Sequence, residues 1–101
     1  RHKSLLPTYD VFDEGRYFDP APVVEPAPFR GEVLGISICE DTWNFPQLWP
    51  RQRLYSADPV RELARQGATL MINISASPFH TGKDRVRNAL ISAQACASDV
   101  P

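Results

Sequence analysis

Two short apolar, β-branched runs, separated by one well-capped helix, limit most tightly what this chain can fold into. Residues 33–39 (Val-Leu-Gly-Ile-Ser-Ile-Cys) and 69–75 (Thr-Leu-Met-Ile-Asn-Ile-Ser) have the length and composition of buried strands. Along the first, side-chain alternation puts Ile36 and Ile38 on one face and Gly35, Ser37 and Cys39 on the other. Between the runs, Asp58 is placed as an N-cap and Pro59 as the first helical residue. Val60, Leu63 and Ala64 give that helix its apolar stripe, and Gly67 ends it. Strand, crossover helix and strand make a βαβ unit, so the two strands are expected to be parallel with a right-handed connection. Residues 29–32 read as a turn into the first strand. A last helix, from about residue 84 to 98, is expected to bury Val86, Leu90, Ala93 and Ala97. Arg85 and Arg87 would then face water or a ligand.

Composition sets the outer bounds. At 101 residues there is room for one modest core. Eleven Lys and Arg against twelve Asp and Glu leave a formal charge of -1, which argues against a phosphate-tracking nucleic-acid binder. No apolar run reaches the roughly 18 residues of a membrane span, and residues 1–30 carry no signal-peptide block. Two cysteines, Cys39 and Cys96, are too few for a disulfide scaffold, so a reducing cytoplasm is the expected setting. Cys96, on an alanine-rich helix face, is expected to fill space. Pro20, Pro22, Pro26 and Pro28 mark one irregular loop, and Pro46 and Pro50 a second. The chain opens at Arg1 without an initiator Met and stops at Pro101, and so reads as a piece of something longer.

Ligands of open α/β sheets bind beyond the carboxyl ends of parallel strands. Here those ends are Cys39-Glu40-Asp41 and residues 75–78, so a thiol and a hydroxyl-rich turn should share one mouth. Two readings of Cys39 stand at this point: a nucleophile, or a small buried hydrophobe. A nucleophilic cysteine works as thiolate, and the neighbouring Glu40 and Asp41 charges oppose that form. An active Cys39 therefore needs a cation or a base from elsewhere. His2 and His80 are the candidate bases; Lys3, Lys83 and the arginines are the candidate cations. Spacing does not choose among them. Metal-ligand spacings such as Cys-x-x-Cys are absent, and the five glycines stand singly rather than in a phosphate cradle. The aromatic stretch 42–49 reads as an interaction surface, a lid over the Cys39 mouth, or core filling.

Five segments in order carry a resemblance: Lys3-Ser4-Leu5-Leu6-Pro7-Thr8-Tyr9, Val11-Phe12-Asp13-Glu14, Arg16-Tyr17-Phe18, Ile38-Cys39-Glu40-Asp41 and residues 73–83 with their Ser-Pro and Gly-Lys. Together they resemble the glutaminase domain of the glutamine-dependent NAD(+) synthetase family, a branch of the nitrilase (carbon–nitrogen hydrolase) superfamily. That resemblance implies an α/β fold, a fragment of a four-layer α-β-β-α sandwich whose parallel βαβ unit has strands at about 33–39 and 69–75. Taken as a partial domain over residues 1–101, it would leave sheet edges and one sheet face uncovered. The superfamily works through a Glu–Lys–Cys triad. By resemblance Cys39 attacks the side-chain amide of L-glutamine and becomes the thioester. Lys3 stabilises the thiolate and then the oxyanion, and would offset the charges of Glu40 and Asp41. The backbone N–H of Glu40 would be a second oxyanion donor. Tyr9, Ser77 and Lys83 match glutamine-binding positions, and Glu14 matches a second carboxylate that supports the lysine. The triad's glutamate base lies in the family far ahead of the lysine, outside these residues, so the 101 residues alone are expected to be inactive.

The same resemblance implies that the released ammonia amidates deamido-NAD(+) in a C-terminal synthetase domain. That domain uses ATP and Mg2+, and this chain itself is expected to need no cofactor. A homo-oligomer is expected, with no nucleic-acid or membrane partner. A stand-alone nitrilase-superfamily amidase and a non-catalytic α/β interaction module are the other two function classes.

Overall fold

The computed structural model describes residues 1–46, 48 and 55–101. Within the aromatic loop, Gln47, Trp49 and residues 50–54 therefore lie outside the described residues. Strand β1 spans Ala27–Phe29, β2 Glu32–Ile38, helix α1 Pro59–Arg65, β3 Leu70–Ile74 and helix α2 Lys83–Ser98. The sheet has the order β1-β2-β3. β2 and β3 pair in parallel from Leu34↔Leu70 to Ile38↔Ile74, as the βαβ pattern requires. α1 begins as its sequence dictates: Asp58 Oδ1 accepts the Arg61 N–H at 3.1 Å, and Pro59 is the first helical residue. The chain turns out of it at Gly67, whose φ of 88° favours a residue without Cβ.

β1 was not expected, because the proline-rich stretch reads as irregular. It pairs antiparallel with β2, from Ala27↔Leu34 to Phe29↔Glu32. Proline is tolerated on an edge strand, where a missing N–H leaves no ladder bond broken, and Pro28 occupies such a strand. Arg30 (φ 48°) and Gly31 (φ 91°) close the hairpin. Positive φ at both turn residues is what lets a two-residue connection follow the strand twist.

In-register pairing sorts the sheet into two faces. Gly35, Ser37, Met71 and Asn73 point one way, and Gly35 and Ser37 are buried there against the α1 side. A Cβ on Gly35 would collide with Met71 Sδ and lie 3.0 Å from Ala68 Cβ, so this position is reserved for glycine. Leu34, Ile36, Ile38, Leu70, Ile72 and Ile74 line the other face, and Ile74 is 61% exposed. That is the open apolar face expected of a piece of a larger sandwich. Leu5, Phe45, Val60, Leu63, Ala68 and Leu90 form the core on the helix side.

Helix α2 departs from its expected inner face. Leu90 is fully buried and Ala93 half-buried, but Val86 and Ala97 are exposed. The buried partner of Leu90 is Gln94, whose Nε2 donates to the Thr42 carbonyl at 2.8 Å. Helical spacing puts Lys83, Arg87, Leu90 and Gln94 on one stripe. An aliphatic count overlooks a stripe built from two cations, a leucine and an amide. Cys96 is exposed rather than packed; six residues from Leu90, it lies about 120° around the helix from the buried side.

Candidate functional site

Cys39 stands one residue beyond β2, at the end where β3 also finishes. It opens a 3-10 turn, Cys39–Thr42, with φ at 46°. A non-glycine residue in that region is uncommon and marks a backbone held by its surroundings. Thr42 Oγ1 donates to the Cys39 carbonyl at 3.0 Å and Trp43 N–H to the Glu40 carbonyl at 2.9 Å, which tighten the turn. The thiol is half-buried.

The carboxylates beside it are each satisfied separately. Asp41 is 1% exposed. Its Oδ1 accepts the backbone N–H groups of Ser4 and Leu5 at 2.9 and 2.8 Å, and its Oδ2 accepts that of Ile38 at 3.0 Å. Arg1 approaches the same carboxylate at 3.8 Å and reaches Ser4 Oγ at 3.0 Å and the Ile36 carbonyl at 2.8 Å. Glu40 is 5% exposed and accepts from two phenols: Tyr9 to both oxygens at 2.8 and 2.9 Å, and Tyr55 to Oε1 at 3.2 Å. Tyr9 is 42% exposed, but its hydroxyl turns inward onto Glu40. Burial first, then the Glu40 carboxylate, hold both phenols well above the ordinary tyrosine range.

Lys3 is placed differently from the expectation that it offsets Glu40 and Asp41. Its ammonium donates to Glu14 Oε2 at 2.6 Å, with only 15% of the lysine side chain exposed. Glu14 is brought there by its own N–H bond to the Pro7 carbonyl at 3.1 Å. The neighbouring groups interact across the cluster: Cys39 bears electrostatically on Tyr9, and Glu14 on Tyr55. Cys39, Lys3, Tyr9, Glu14 and Glu40 therefore belong to one assembly, with Asp41 tying the Lys3 stretch to the Cys39 turn.

Ser77 and Lys83 form a second group where the chain leaves β3. Arg87 donates to Ser77 Oγ, and Lys83 Nζ donates to the Pro78 carbonyl at 2.8 Å. The Lys83 ammonium lies 5.6 Å from the centre of the Trp43 ring, so this group touches the end of the Cys39 turn. Among the described residues no hydrogen bond joins either histidine to the thiol: His2 and His80 are exposed, and the His80 ring pairs with the Thr81 carbonyl. Among the described residues no group of three or more His, Cys, Asp or Glu could hold a metal ion, and no helix is long and apolar enough to cross a membrane.

Four site residues escaped the sequence reading in these roles: Asp41 as a clamp, Tyr55 as the second phenol on Glu40, Arg87 on Ser77, and Trp43 beneath Lys83. Asp41 lies 37 residues from Ser4, and no local pattern encodes such a contact. For Tyr55 the signal is indirect. Asn44 Nδ2 bonds the carbonyls of Tyr55 and Ala57, so the aromatic loop is stitched back beside the turn.

No family model matches the chain. Over 100 residues it is 46% identical to a glutamine-dependent NAD(+) synthetase of Synechocystis sp., covering 99% of this chain and 18% of that protein. A glutamine-dependent NAD(+) synthetase of Thermotoga maritima is 36% identical over 94 residues, covering 92% of this chain and 14% of its own length. Among solved structures, the glutamine-dependent NAD+ synthetase from Acinetobacter baumannii in complex with ADP aligns with a TM-score of 0.78 and 28% identity. That alignment covers 97% of this chain and 16% of the other. A carbon–nitrogen hydrolase from Helicobacter pylori aligns with a TM-score of 0.60 and 28% identity over 91% of this chain and 29% of that one. The chain thus spans 18% or less of the synthetase lengths that it matches.

Proposed function

Because the chain belongs with the nitrilase-like (carbon–nitrogen hydrolase) glutaminase domain of glutamine-dependent NAD(+) synthetases, we propose that it carries the nucleophile and lysine of a glutamine-hydrolysing site. The Cys39 thiolate attacks the side-chain amide carbon of L-glutamine, and the Lys3 ammonium stabilises the oxyanion of the tetrahedral intermediate. The C–N bond breaks, ammonia leaves with a proton supplied by the general base, and a thioester remains on Cys39. Water then attacks the thioester, giving glutamate and the free thiol. The general base is a glutamate contributed from outside these 101 residues, so the isolated chain does not turn over. Tyr9, Ser77 and Lys83 hold the substrate, with Glu40 and Glu14 orienting Tyr9 and Lys3.

In the complete enzyme the ammonia serves ATP-dependent amidation of deamido-NAD(+) to NAD(+). By the same resemblance, ATP and Mg2+ are ligands of a C-terminal synthetase domain, and the complete enzyme is a homo-oligomer.

The observation that carries the reading is the placement of Cys39: half-buried, at φ 46°, on a tight turn at the mouth of a parallel strand pair. An inert packing cysteine needs no such backbone. The test is NAD(+) synthesis by the full-length enzyme, with glutamine or an ammonium salt as nitrogen donor. Cys39→Ala should abolish the glutamine-supported rate and spare the ammonium-supported one. Glutamine-supported synthesis that survives the substitution would refute the reading.

A further inference from the structure

We propose that Asp41 is the positioning residue that sets Lys3 and Cys39 in one frame, a proposal that rests on the hydrolytic reading above. The lysine and the cysteine come from stretches far apart in the chain. One carboxylate accepts backbone N–H groups from both: Ser4 and Leu5, directly after Lys3, on Oδ1, and Ile38, directly before Cys39, on Oδ2. The distances are 2.9, 2.8 and 3.0 Å, and the group is 1% exposed.

Burying a carboxylate is costly unless its oxygens are met by donors. Asp41 has three amide donors, with the Arg1 guanidinium at 3.8 Å. A clamp serving only stability could draw on any buried amides. This one takes the amides that flank the two reacting side chains. Glu14 fixes the far end of Lys3 at 2.6 Å, so Asp41 fixes its root. Loss of the root lets the ammonium move relative to the thiol while the Glu14 pair persists, and a misplacement of about 1 Å costs about 100-fold in rate.

Asn at this position keeps the shape but presents an NH2 on one side. That side then faces either the Ile38 N–H or those of Ser4 and Leu5, and one arm of the clamp opens. In the full-length synthetase, Asp41→Asn should lower the glutamine-supported kcat about 100-fold and leave KM for glutamine within about threefold. Alkylation of Cys39 by iodoacetamide should slow in parallel, and ammonium-supported synthesis should persist, reporting an intact fold. A folded Asp41→Asn enzyme whose kcat stays within about threefold of the parent, or whose loss lies in KM alone, overturns the proposal. Should Asp41→Asn lose ammonium-supported synthesis as well, Arg1→Met carries the test. It removes the guanidinium beside Asp41 and the bonds to Ser4 Oγ and to the Ile36 and Val23 carbonyls, which loosens both arms of the clamp, and should reduce kcat about fivefold without a change in KM; an unchanged kcat overturns the proposal. Activity surviving in Cys39→Ala would instead overturn the hydrolytic reading, which separates the two failures.

Discussion

Glu40 offers the sharpest quantitative test of how the Cys39 turn is held. Its carboxylate is 5% exposed and receives Tyr9 at 2.8 and 2.9 Å and Tyr55 at 3.2 Å, with Oε1 shared between them. Tyr→Phe deletes each hydroxyl and keeps each ring. A hydrogen bond to a charged group is worth about 1.5–3 kcal/mol. The short two-oxygen contact of Tyr9 belongs near 2 kcal/mol on that scale, and the longer Tyr55 contact, at about 1 kcal/mol, falls below it. The singles are not independent, since either phenol alone still solvates the carboxylate. The double variant strips both donors from a buried charge and should cost about 1–3 kcal/mol beyond the sum. Amide exchange at Trp43 reads the opening of this turn directly, because its N–H donates to the Glu40 carbonyl at 2.9 Å. In the full-length enzyme Tyr9→Phe should speed that exchange about 30-fold and Tyr55→Phe about fivefold, at 1.4 kcal/mol per decade. The double should exceed their product by about fivefold or more. Exchange in the double equal to or slower than that product would refute the shared-carboxylate argument.

Two further outcomes follow from named contacts. Gly35→Ala should destabilise the β2–β3 pair by about 1–3 kcal/mol, because its Cβ meets Met71 Sδ and Ala68 Cβ. Adding Met71→Ala should return part of that loss in thermal unfolding, and an additive double variant would contradict the steric account. In an alkaline titration, the tyrosinate absorbance missing from Tyr55→Phe relative to the parent should belong to a phenol that titrates above the ordinary tyrosine value of about 10. The sign is that of a raised folded-state value: the stability from the neutral phenol is complete below pH about 10 and is lost as pH rises through the folded value. A lost signal centred at or below 10 would remove the burial and Glu40 contributions.

How much of this was legible in the chain depends on the range of the interaction. The βαβ unit was readable because its signals are local: β-branched runs, Asp58 and Pro59 at a helix start, Gly67 at its end. Strand boundaries shifted by about one residue, which left Cys39 outside β2 in its own turn. β1 was hidden, since three residues holding a proline carry no periodicity and form a strand only because β2 offers an edge. On α2 the alanine-rich sequence supports several faces, and Gln94 won a buried place through one bond to Thr42, which spacing cannot foresee. The site divided in the same way. Topology put Cys39 and the Ser77 turn at one mouth. Lys3 and Tyr9 came from the resemblance, and apart from the Ile38 amide, three residues from Asp41, the hydrogen-bond partners of Asp41 and Glu40 lie 15 to 37 residues away.

The charge pattern around Cys39 decides what its neighbours are for. A Cys-Glu-Asp sequence opposes a thiolate, and on the sequence alone a single lysine has to offset both acids. The structure distributes the charges otherwise. Asp41 is met by three amides and Arg1, Glu40 by two phenols, and Glu14 by the Lys3 ammonium. Each carboxylate near the thiol is thereby spoken for by groups other than Lys3, save the one that orients Lys3 itself. Among the described residues the lysine has one ion pair, on the side supplied by Glu14. An oxyanion forming beside Cys39 would draw on that same ammonium without competing against Glu40 or Asp41. On this account the two acids of the motif are architectural: Asp41 joins the stretches of chain that hold Lys3 and Cys39, and Glu40 fixes Tyr9 and Tyr55 beside the Cys39 turn.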